Sequence, residues 1–243
     1  MQRFSESLAD LNYAIKLNPN VAIAYTNRAI TCMSLRRFDD AFADFTKAIA
    51  LDPNSPLTWY NRAHLHEIFQ QHDEAISDFT EAIKLDPKYS WAYNSRGNVY
   101  SVLNQNSKAL ADFDNAIRTD PYHVLAYTNR GTLYVQMKQY EKAVSDFTSA
   151  IQIEPTNVTA YTNRGAAYYM MKQFEKAQSD FEMGINLDAS NAIAYRNLGA
   201  LAQDHGLLED ALKYYEKASR LGDAPARVYY GEVQKTLGNR SKK

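Results

Sequence analysis

Apolar, aromatic and small residues recur along this chain with a period of 34 residues. The aromatic series is Tyr25, Trp59, Tyr93, Tyr127, Tyr161 and Tyr195. Two further series, one of alanine and one of phenylalanine closed by tyrosine, are Ala41, Ala75, Ala109, Ala143, Ala177 and Ala211, and Phe45, Phe79, Phe113, Phe147, Phe181 and Tyr215. Alanine and phenylalanine four residues apart share one helix face, so each period predicts two helices around a break such as LRRF at residues 35–38.

Prolines and small residues complete the repeating pattern. Proline follows the second predicted helix of each period and stops it, at Pro19, Pro53, Pro87, Pro121 and Pro155. A small residue in the first helix lets the paired helices approach closely, at Ala29, Ala63, Gly97, Gly131, Gly165 and Gly199. Such a hairpin cannot bury its apolar face alone and must stack on its neighbours.

This set of residues resembles the tetratricopeptide repeat (TPR) family, whose 34-residue unit has the same order of aromatic, small, Ala, Phe or Tyr, Ala and Pro positions. The resemblance covers almost the whole chain. It implies an all-α fold, a right-handed α-solenoid of TPR helical hairpins. After Leu221, Pro225 could start a C-terminal capping helix in which Val228, Tyr229, Val233 and Leu237 face the last repeat.

The pattern also predicts the boundaries of the repeats. Six units are expected at residues 22–55, 56–89, 90–123, 124–157, 158–191 and 192–223, with a capping helix and basic tail at 224–243. Residues 1–21 read as the second helix of a truncated N-terminal repeat. We therefore hypothesise that the chain is a fragment of a longer repeat protein, or that this open edge pairs with another chain.

An arginine in the first helix of five units has an aspartate sixteen residues later in the second helix. The pairs are Arg28 and Asp44, Arg62 and Asp78, Arg96 and Asp112, Arg130 and Asp146, and Arg164 and Asp180. In the last unit Leu198 and Tyr214 replace both members together. The favoured interpretation is a structural ion pair between the two helices of each hairpin, and the alternative is a ligand-binding role for the arginine.

Asparagine precedes that arginine and points about 100° away from it on a helix. The series is Asn27, Asn61, Asn129, Asn163 and Asn197, interrupted by Ser95 with Asn94 beside it. It is similar to the asparagine series in the repeat domain of O-GlcNAc transferase, which implies a concave groove whose amides hold a peptide backbone. Three aromatic residues and one more amide are expected on the same face, Tyr60, Trp91, Tyr169 and Asn98. Alternatively, the asparagines bridge neighbouring hairpins, and Trp91 and Tyr169 pack between them.

Composition narrows the function classes. With 27 basic and 28 acidic residues, the chain does not favour nucleic acid or an anionic membrane as partner. One cysteine, Cys32, and no signal peptide or membrane span favour a soluble, cytoplasmic protein. His64, His66 and His72 are the densest histidine cluster, but His64 and His66 diverge on a helix, so we expect no metal site and no cofactor.

The sequence thus predicts a non-catalytic scaffold whose groove binds an extended or short helical peptide segment of a partner protein. Two alternatives stay open. The chain could be a structural subunit that forms a homo-oligomer through its N-terminal edge, or it could be the substrate-recognition arm of a larger enzyme.

Overall fold

The computed structural model describes residues 2–240, which form fourteen α-helices and no β-strand within that range. The chain divides into two compact units, Met1–His123 and Val124–Lys243. Each unit is a stack of antiparallel helical hairpins, as predicted. Among residues 2–240, no helix has both the length and the apolar character needed to cross a membrane.

The first unit contains one leading helix and three hairpins. Its helices are α1 (Gln2–Leu17), α2 (Ala22–Ser34), α3 (Phe38–Leu51), α4 (Pro56–Ile68), α5 (His72–Leu85), α6 (Ser90–Val102) and α7 (Asn106–Thr119). The hairpins are α2 with α3, α4 with α5, and α6 with α7. Within this unit α3 also packs on α4 and α5 on α6, and α1 packs on α2 in the same way.

The second unit contains three hairpins and a closing helix. Its helices are α8 (Val124–Gln136), α9 (Tyr140–Ile153), α10 (Val158–Met170), α11 (Phe174–Leu187), α12 (Ala192–Asp204), α13 (Leu208–Arg220) and α14 (Ala224–Arg240). The hairpins are α8 with α9, α10 with α11, and α12 with α13, and α14 packs on α13. Successive first helices are neighbours, with Cα atoms of α8 and α10, and of α10 and α12, within 8 Å of each other.

The turn inside each hairpin requires one residue with a left-handed backbone. That residue is Arg36, Gln70, Asn104, Lys138 or Lys172 in the first five hairpins, with φ between 56° and 59°. In the sixth hairpin it is Gly206, with φ of 74°. Glycine adopts this region without steric cost and asparagine tolerates it, so the four turns with arginine, glutamine or lysine carry a small strain.

The core of each hairpin is a ring packed against a small residue. The ring is Phe45, Phe79, Phe113, Phe147, Phe181 or Tyr215, and each is at most 2% exposed. In the fourth hairpin a Cβ atom added at Gly131 would lie 2.8 Å from the Phe147 ring. The small residue therefore sets how closely the two helices approach, as the sequence indicated.

The closing helix α14 faces the last hairpin with Tyr229, Val233 and Leu237 as predicted, and Val228 is the exception. Val233 is buried, and Tyr230 and Leu237 pack against the same cluster around Tyr215. Val228 is 58% exposed, so its predicted contact with the last repeat is wrong. Tyr230, Val233 and Leu237 lie at helical spacing on one face, and Val228 projects from another side of the helix.

Candidate functional site

All five sixteen-residue Arg and Asp pairs are in contact, and each makes two hydrogen bonds. The arginine Nε and Nη2 atoms donate to the two carboxylate oxygens at 2.6 to 2.8 Å. The aspartates are buried, whereas the arginine side chains keep 15 to 24% of their surface exposed. The hydrogen bond to Asp180 is the main cause that raises the pKa of Arg164. A bidentate ion pair therefore joins the two helices of each of these hairpins.

Arg28, Arg96 and Arg164 also reach a third helix, a contact that was not predicted from the sequence. Arg28 donates to Asn12 Oδ1 at 2.8 Å on α1, and Arg164 donates to Thr148 Oγ1 at 3.1 Å on α9. In both cases the acceptor lies sixteen residues before the arginine, on the second helix of the preceding repeat. A series of short polar residues at that spacing was the available signal. Each such arginine therefore also joins one hairpin to the next.

The aromatic residue three positions before each arginine has a related role. The guanidinium carbon lies 5.0 to 5.9 Å from the centroid of that ring in all five hairpins. This is cation–π geometry. The aromatic residue, the arginine and the aspartate thus form one packed unit, which leaves the intervening asparagine to face elsewhere.

We define the first-helix face as the surface of the first helices that carries the predicted asparagine series. Asn27 is exposed, and Asn61, Asn129, Asn163 and Asn197 are partly exposed. Asn61 donates its amide to the Leu57 carbonyl oxygen at 2.7 Å, within its own helix. Within each unit these amides lie on successive first helices and reach the surface.

The third hairpin departs from this pattern. Asn94 and Ser95 are 4% and 5% exposed, so neither is presented to a ligand as the sequence analysis expected. Ser95 Oγ lies 3.3 Å from His64 Nε2 on the neighbouring first helix. Serine stands here in place of the asparagine of the other hairpins and has a shorter side chain. In this hairpin the amide on the first-helix face is that of the partly exposed Asn98, one turn later.

Exposed apolar side chains lie one helical turn before the asparagines. They occupy the second residue of five of the six first helices, at Ile23, Leu57, Trp91, Leu125 and Ile193, and each is between 41% and 51% exposed. The sequence analysis identified only Trp91 among them. Residues four apart share a helix face, so the first-helix face combines an apolar row with an amide row.

The predicted aromatic residues of this face differ in accessibility. Trp91 is 48% exposed, and its ring lies 4.4 Å from that of His123. Tyr60 is packed against His64 and Tyr89, at centroid distances of 4.5 and 4.9 Å. Burial raises the pKa of Tyr60. Trp91 is therefore open to a ligand, whereas Tyr60 belongs to the packing between hairpins.

Tyr169 joins two hairpins of the second unit. Its hydroxyl donates to Asp204 Oδ2 at 2.5 Å, from the end of α10 to the end of α12. Burial and this hydrogen bond raise the pKa of Tyr169 to about 12. The hydroxyl is protonated at neutral pH and holds the Asp204 carboxylate in place.

One group of side chains has the order of a serine, histidine and carboxylate triad. His64 Nδ1 contacts Glu67 Oε2 at 2.6 Å, and its other ring nitrogen contacts Ser95. Ser95 is buried inside α6, and the backbone N–H groups of a helix interior are already bonded, so they cannot stabilise an oxyanion. This geometry does not support acyl transfer.

Other candidate chemistry is sparse in the part of the chain that the structure describes. Within residues 2–240, no group of three or more His, Cys, Asp and Glu side chains could hold a metal ion. Cys32 is buried, and burial raises its pKa, which disfavours the reactive thiolate.

Family models cover most of the repeats. Models described as tetratricopeptide repeat match residues 22–55, 56–89, 79–111, 113–145 and 158–191, and one described as TPR repeat matches residues 131–172. Together these matches span well over half of the chain. No curated protein sequence matches it.

Solved structures with the same fold are numerous. The Cut9–Hcn1 hetero-tetramer of the APC/C matches with a TM-score of 0.78 and 18% identity, over 95% of this chain. This chain spans 46% of the length of that one. The pilF protein of Pseudomonas aeruginosa matches with a TM-score of 0.76 and 17% identity, over 89% of this chain and 97% of its own. YrrB, described as a TPR protein with an unusual peptide-binding site, matches with a TM-score of 0.60 and 23% identity, over 76% of this chain and 95% of its own.

Proposed function

The chain belongs to the tetratricopeptide repeat family, and we propose that it is a non-catalytic protein interaction module that binds a peptide segment of a partner on its first-helix face. The fold itself supports a protein interaction scaffold. The observation that carries the finer proposal is the recurrence of a surface amide on α8, α10 and α12, at Asn129, Asn163 and Asn197.

An amide is suited to holding a peptide without reading its sequence. Asparagine has one acceptor oxygen and two donor hydrogens, which match the N–H and C=O groups of a peptide bond. Because packed helices lie about 8 to 10 Å apart, a row of amides can pair with backbone groups about every third residue of an extended chain. The exposed apolar residue one turn earlier, such as Leu125 or Ile193, offers a contact for the side chains of that peptide.

A small apolar hollow lies beside this row in the second unit. Its volume is about 80 Å³, and it is lined by Asn163 together with Thr132, Val135, Phe147 and Ala166. It is large enough for a short apolar side chain. The hollow supports the proposal, because a peptide bonded to Asn163 through its backbone could insert a neighbouring side chain there.

The test compares the double variant Asn129→Ala, Asn163→Ala with wild type. Peptides are first selected from a displayed library of random twelve-residue sequences, and their affinities are measured by fluorescence anisotropy. Each lost amide contact is worth about 1 kcal/mol, so the double variant should bind tenfold or more weakly. Asn186→Ala, an exposed asparagine on the second helix α11, is the matched control and should bind as wild type.

Two results would contradict the proposal. One is unchanged affinity in the double variant, with helicity by circular dichroism equal to that of wild type. The other is an equal loss of affinity in Asn186→Ala. The first would show that the peptide lies elsewhere, and the second would show that the loss is not specific to the first-helix face.

A second candidate function, self-association, is favoured by one observation on α1. Tyr13 and Leu17 on this helix are 64% and 68% exposed. Pairing of α1 with another copy would cover them. Sedimentation equilibrium of the whole chain tests this, since a dimer that Leu17→Lys dissociates supports the candidate and a monomer contradicts it.

A further inference from the structure

A cavity of about 340 Å³ opens between α12, α13 and the closing helix α14. It is lined by Arg196, Asn197, Ala200, Gln203, Asp204, Tyr215, Tyr229 and Glu232. This size lies near the lower end of the roughly 300 to 1,000 Å³ of ligand pockets. The cavity therefore suits one large side chain or a small molecule.

The walls of this cavity carry excess negative charge. The only basic side chain of the lining, Arg196, donates to Asp223 Oδ2 at 2.8 Å and is neutralised by it. Asp204 and Glu232 remain, and neither forms an ion pair with a lysine or arginine among residues 5–239, whose side chains the structure describes. Burial is the main cause that raises the pKa of Tyr215, and the charges of Asp204 and Glu232 add to it.

The cavity also has an aromatic wall that is held in position. The rings of Tyr215 and Tyr229 lie 5.5 Å apart, and Tyr215 donates its hydroxyl to Gln203 Oε1 at 2.9 Å. Asp204 is fixed by the hydroxyl of Tyr169. The site thus presents two carboxylates and an exposed tyrosine face on α12 and α14, with Asp204 held by Tyr169 and Tyr229 packed against Tyr215.

We propose that this cavity binds the basic side chain of a peptide partner, with arginine preferred over lysine. A planar guanidinium can lie on the face of Tyr229 while it donates to a carboxylate in two parallel bonds. A lysine ammonium can make the charge contacts but lacks the planar stacking surface. The negative walls repel phosphate and carboxylate groups.

This inference rests on the proposed function, because Asn197 belongs both to the cavity and to the amide row. A peptide whose backbone is held by Asn163 and Asn197 would pass the mouth of the cavity. One of its side chains could then enter between α12 and α14. The closing helix would thereby be part of the binding surface and also a cover for the last hairpin.

The test uses small probes that isolate the cavity from the rest of the face. Nα-acetyl-arginine amide is titrated into the 15N-labelled chain, and Nα-acetyl-citrulline amide, which has the same shape without the charge, is titrated in parallel. The arginine probe should shift amide resonances of α12 and α14, and the citrulline probe should not. Added salt should weaken the arginine shifts, since the contact is a partly exposed charge pair.

Variants locate the binding groups. Asp204→Asn and Glu232→Gln should each weaken the arginine probe roughly threefold, as expected for loss of one exposed ion pair. Tyr229→Leu should also weaken it, because the stacking surface is lost. Glu209→Gln, an exposed carboxylate of α13 outside the cavity, is the matched control and should leave the affinity unchanged.

The outcomes separate this inference from the proposed function. Equal shifts with both probes, or unchanged binding in the carboxylate variants, would overturn the basic side-chain pocket. The double variant Asn129→Ala, Asn163→Ala should keep arginine-probe binding even if it loses peptide. If the chain binds peptide but not the arginine probe, the proposed function is supported and the basic side-chain pocket is contradicted. If it binds the arginine probe but no peptide, the pocket is supported and the proposed function is contradicted.

Discussion

The fifth and sixth hairpins have the same helix lengths to within one residue and the same core, yet they join their helices differently. In the fifth, Arg164 and Asp180 make two hydrogen bonds of 2.8 Å between α10 and α11. In the sixth, Leu198 and Tyr214 occupy these positions and pack in one apolar cluster with Phe181. The backbone plan therefore does not depend on the ion pair.

In both hairpins a basic side chain lies over the aromatic ring of the first helix, but it comes from a different helix in each. In the fifth, Arg164 lies 5.6 Å from the ring centroid of Tyr161 on its own helix. In the sixth, Lys217 from the second helix α13 lies 5.9 Å from that of Tyr195. Two different solutions for the same ring indicate that the contact has a role in packing the aromatic series.

The sixth hairpin also has an ion pair, but it joins α12 to the residue just before α14. Arg196 on α12 bonds to Asp223, which in turn accepts from the Ala226 backbone N–H at 2.8 Å and begins α14. In the fifth hairpin the equivalent residue is Thr162, which is buried. The two hairpins show that an ion pair between helices can be replaced by apolar contacts, so its role is to orient the helices it joins. The buried ring packed against a glycine is present in both hairpins.

The largest expected effect on stability comes from removing the charge of one member of the ion pair in the fifth hairpin. Asp180→Asn leaves the half-buried Arg164 without its charge partner and should lower the free energy of unfolding by about 3 kcal/mol. The double variant Arg164→Leu, Asp180→Tyr copies the sixth hairpin and should recover most of this loss. Urea unfolding followed by circular dichroism measures both.

A control pair distinguishes burial from charge in that experiment. Lys213 and Asp210 are exposed on α13, and Asp210→Asn should change the free energy of unfolding by less than about 0.5 kcal/mol. If the double variant were less stable than Asp180→Asn, the apolar solution of the sixth hairpin would not be transferable. Amide hydrogen exchange would show whether the loss is confined to neighbouring hairpins.

The small residue is the next point at which the two hairpins can be compared. A Cβ atom at Gly165 would lie 2.8 Å from the Phe181 ring, and one at Gly199 would lie 2.6 Å from that of Tyr215. Overpacking costs about 1 to 3 kcal/mol, against a gain of about 1 kcal/mol in helix propensity. We expect Gly165→Ala to lose about 1 kcal/mol and Gly199→Ala to lose more, since the Tyr215 hydroxyl is tied to Gln203.

Gly231 on α14 provides the matched control. Nothing lies within 4 Å of a Cβ atom built there, so Gly231→Ala should gain stability from helix propensity alone. Thermal unfolding of the three variants compares them directly. Equal effects at Gly165 and Gly199 would show that the ring can shift as easily in either hairpin.

Much of the fold could be predicted because its signals are local and repeated. The prolines fixed where the second helices stop, and Leu51 and Leu85 end their helices two residues before Pro53 and Pro87. The sixteen-residue spacing of arginine and aspartate led to a contact that every copy makes. These features lie within one hairpin, and the repeated sequence shows the same signal in each copy.

The candidate site was less predictable because it depends on neighbours in space. Burial of Asn94 and Ser95 follows from how α6 packs beside His64 and cannot be read from a helical period. The contact of Arg28 with Asn12 joins different repeats, and the cavity under Tyr229 is formed by a helix outside the repeat pattern. Whether the surface amides bind peptide stays a prediction.

Caps at the start of the two first helices offer a smaller test. Asn157 accepts from the Ala160 N–H at 2.9 Å, and Asn191 accepts from that of Ala194 at 3.1 Å. Asn191 also donates to the buried Thr162 Oγ1 at 2.8 Å. Asn157→Ala should therefore lose about 1 kcal/mol, and Asn191→Ala somewhat more.

Urea unfolding of the two cap variants gives the comparison. Asn191→Asp keeps the acceptor and removes the donor, so it isolates the bond to Thr162. If Asn191→Asp were as stable as wild type, the bond between the fifth hairpin and the start of the sixth would contribute nothing measurable. If both alanine variants lost the same amount, the cap alone would account for the effect.

The smallest expected effect lies in the turns, where the two hairpins use different residues for the same backbone. Lys172 has φ of 58°, and Gly206 has φ of 74°. A left-handed lysine costs about 1 kcal/mol, part of which glycine loses again through its greater freedom in the unfolded chain. Lys172→Gly should therefore raise the free energy of unfolding by about 0.5 kcal/mol, and Gly206→Lys should lower it by a similar amount.

Exchanging these two residues in one chain sharpens that prediction. Because the Phe174 and His205 rings beside these turns lie 5.0 Å apart, the effects of Lys172→Gly and Gly206→Lys should depart from additivity by about 0.5 kcal/mol or more. Differential scanning calorimetry of the single variants and the exchange variant measures this. A stabilising Gly206→Lys would mean that the sixth turn can relax out of the left-handed region, since nothing lies within 4 Å of a Cβ atom built at Gly206.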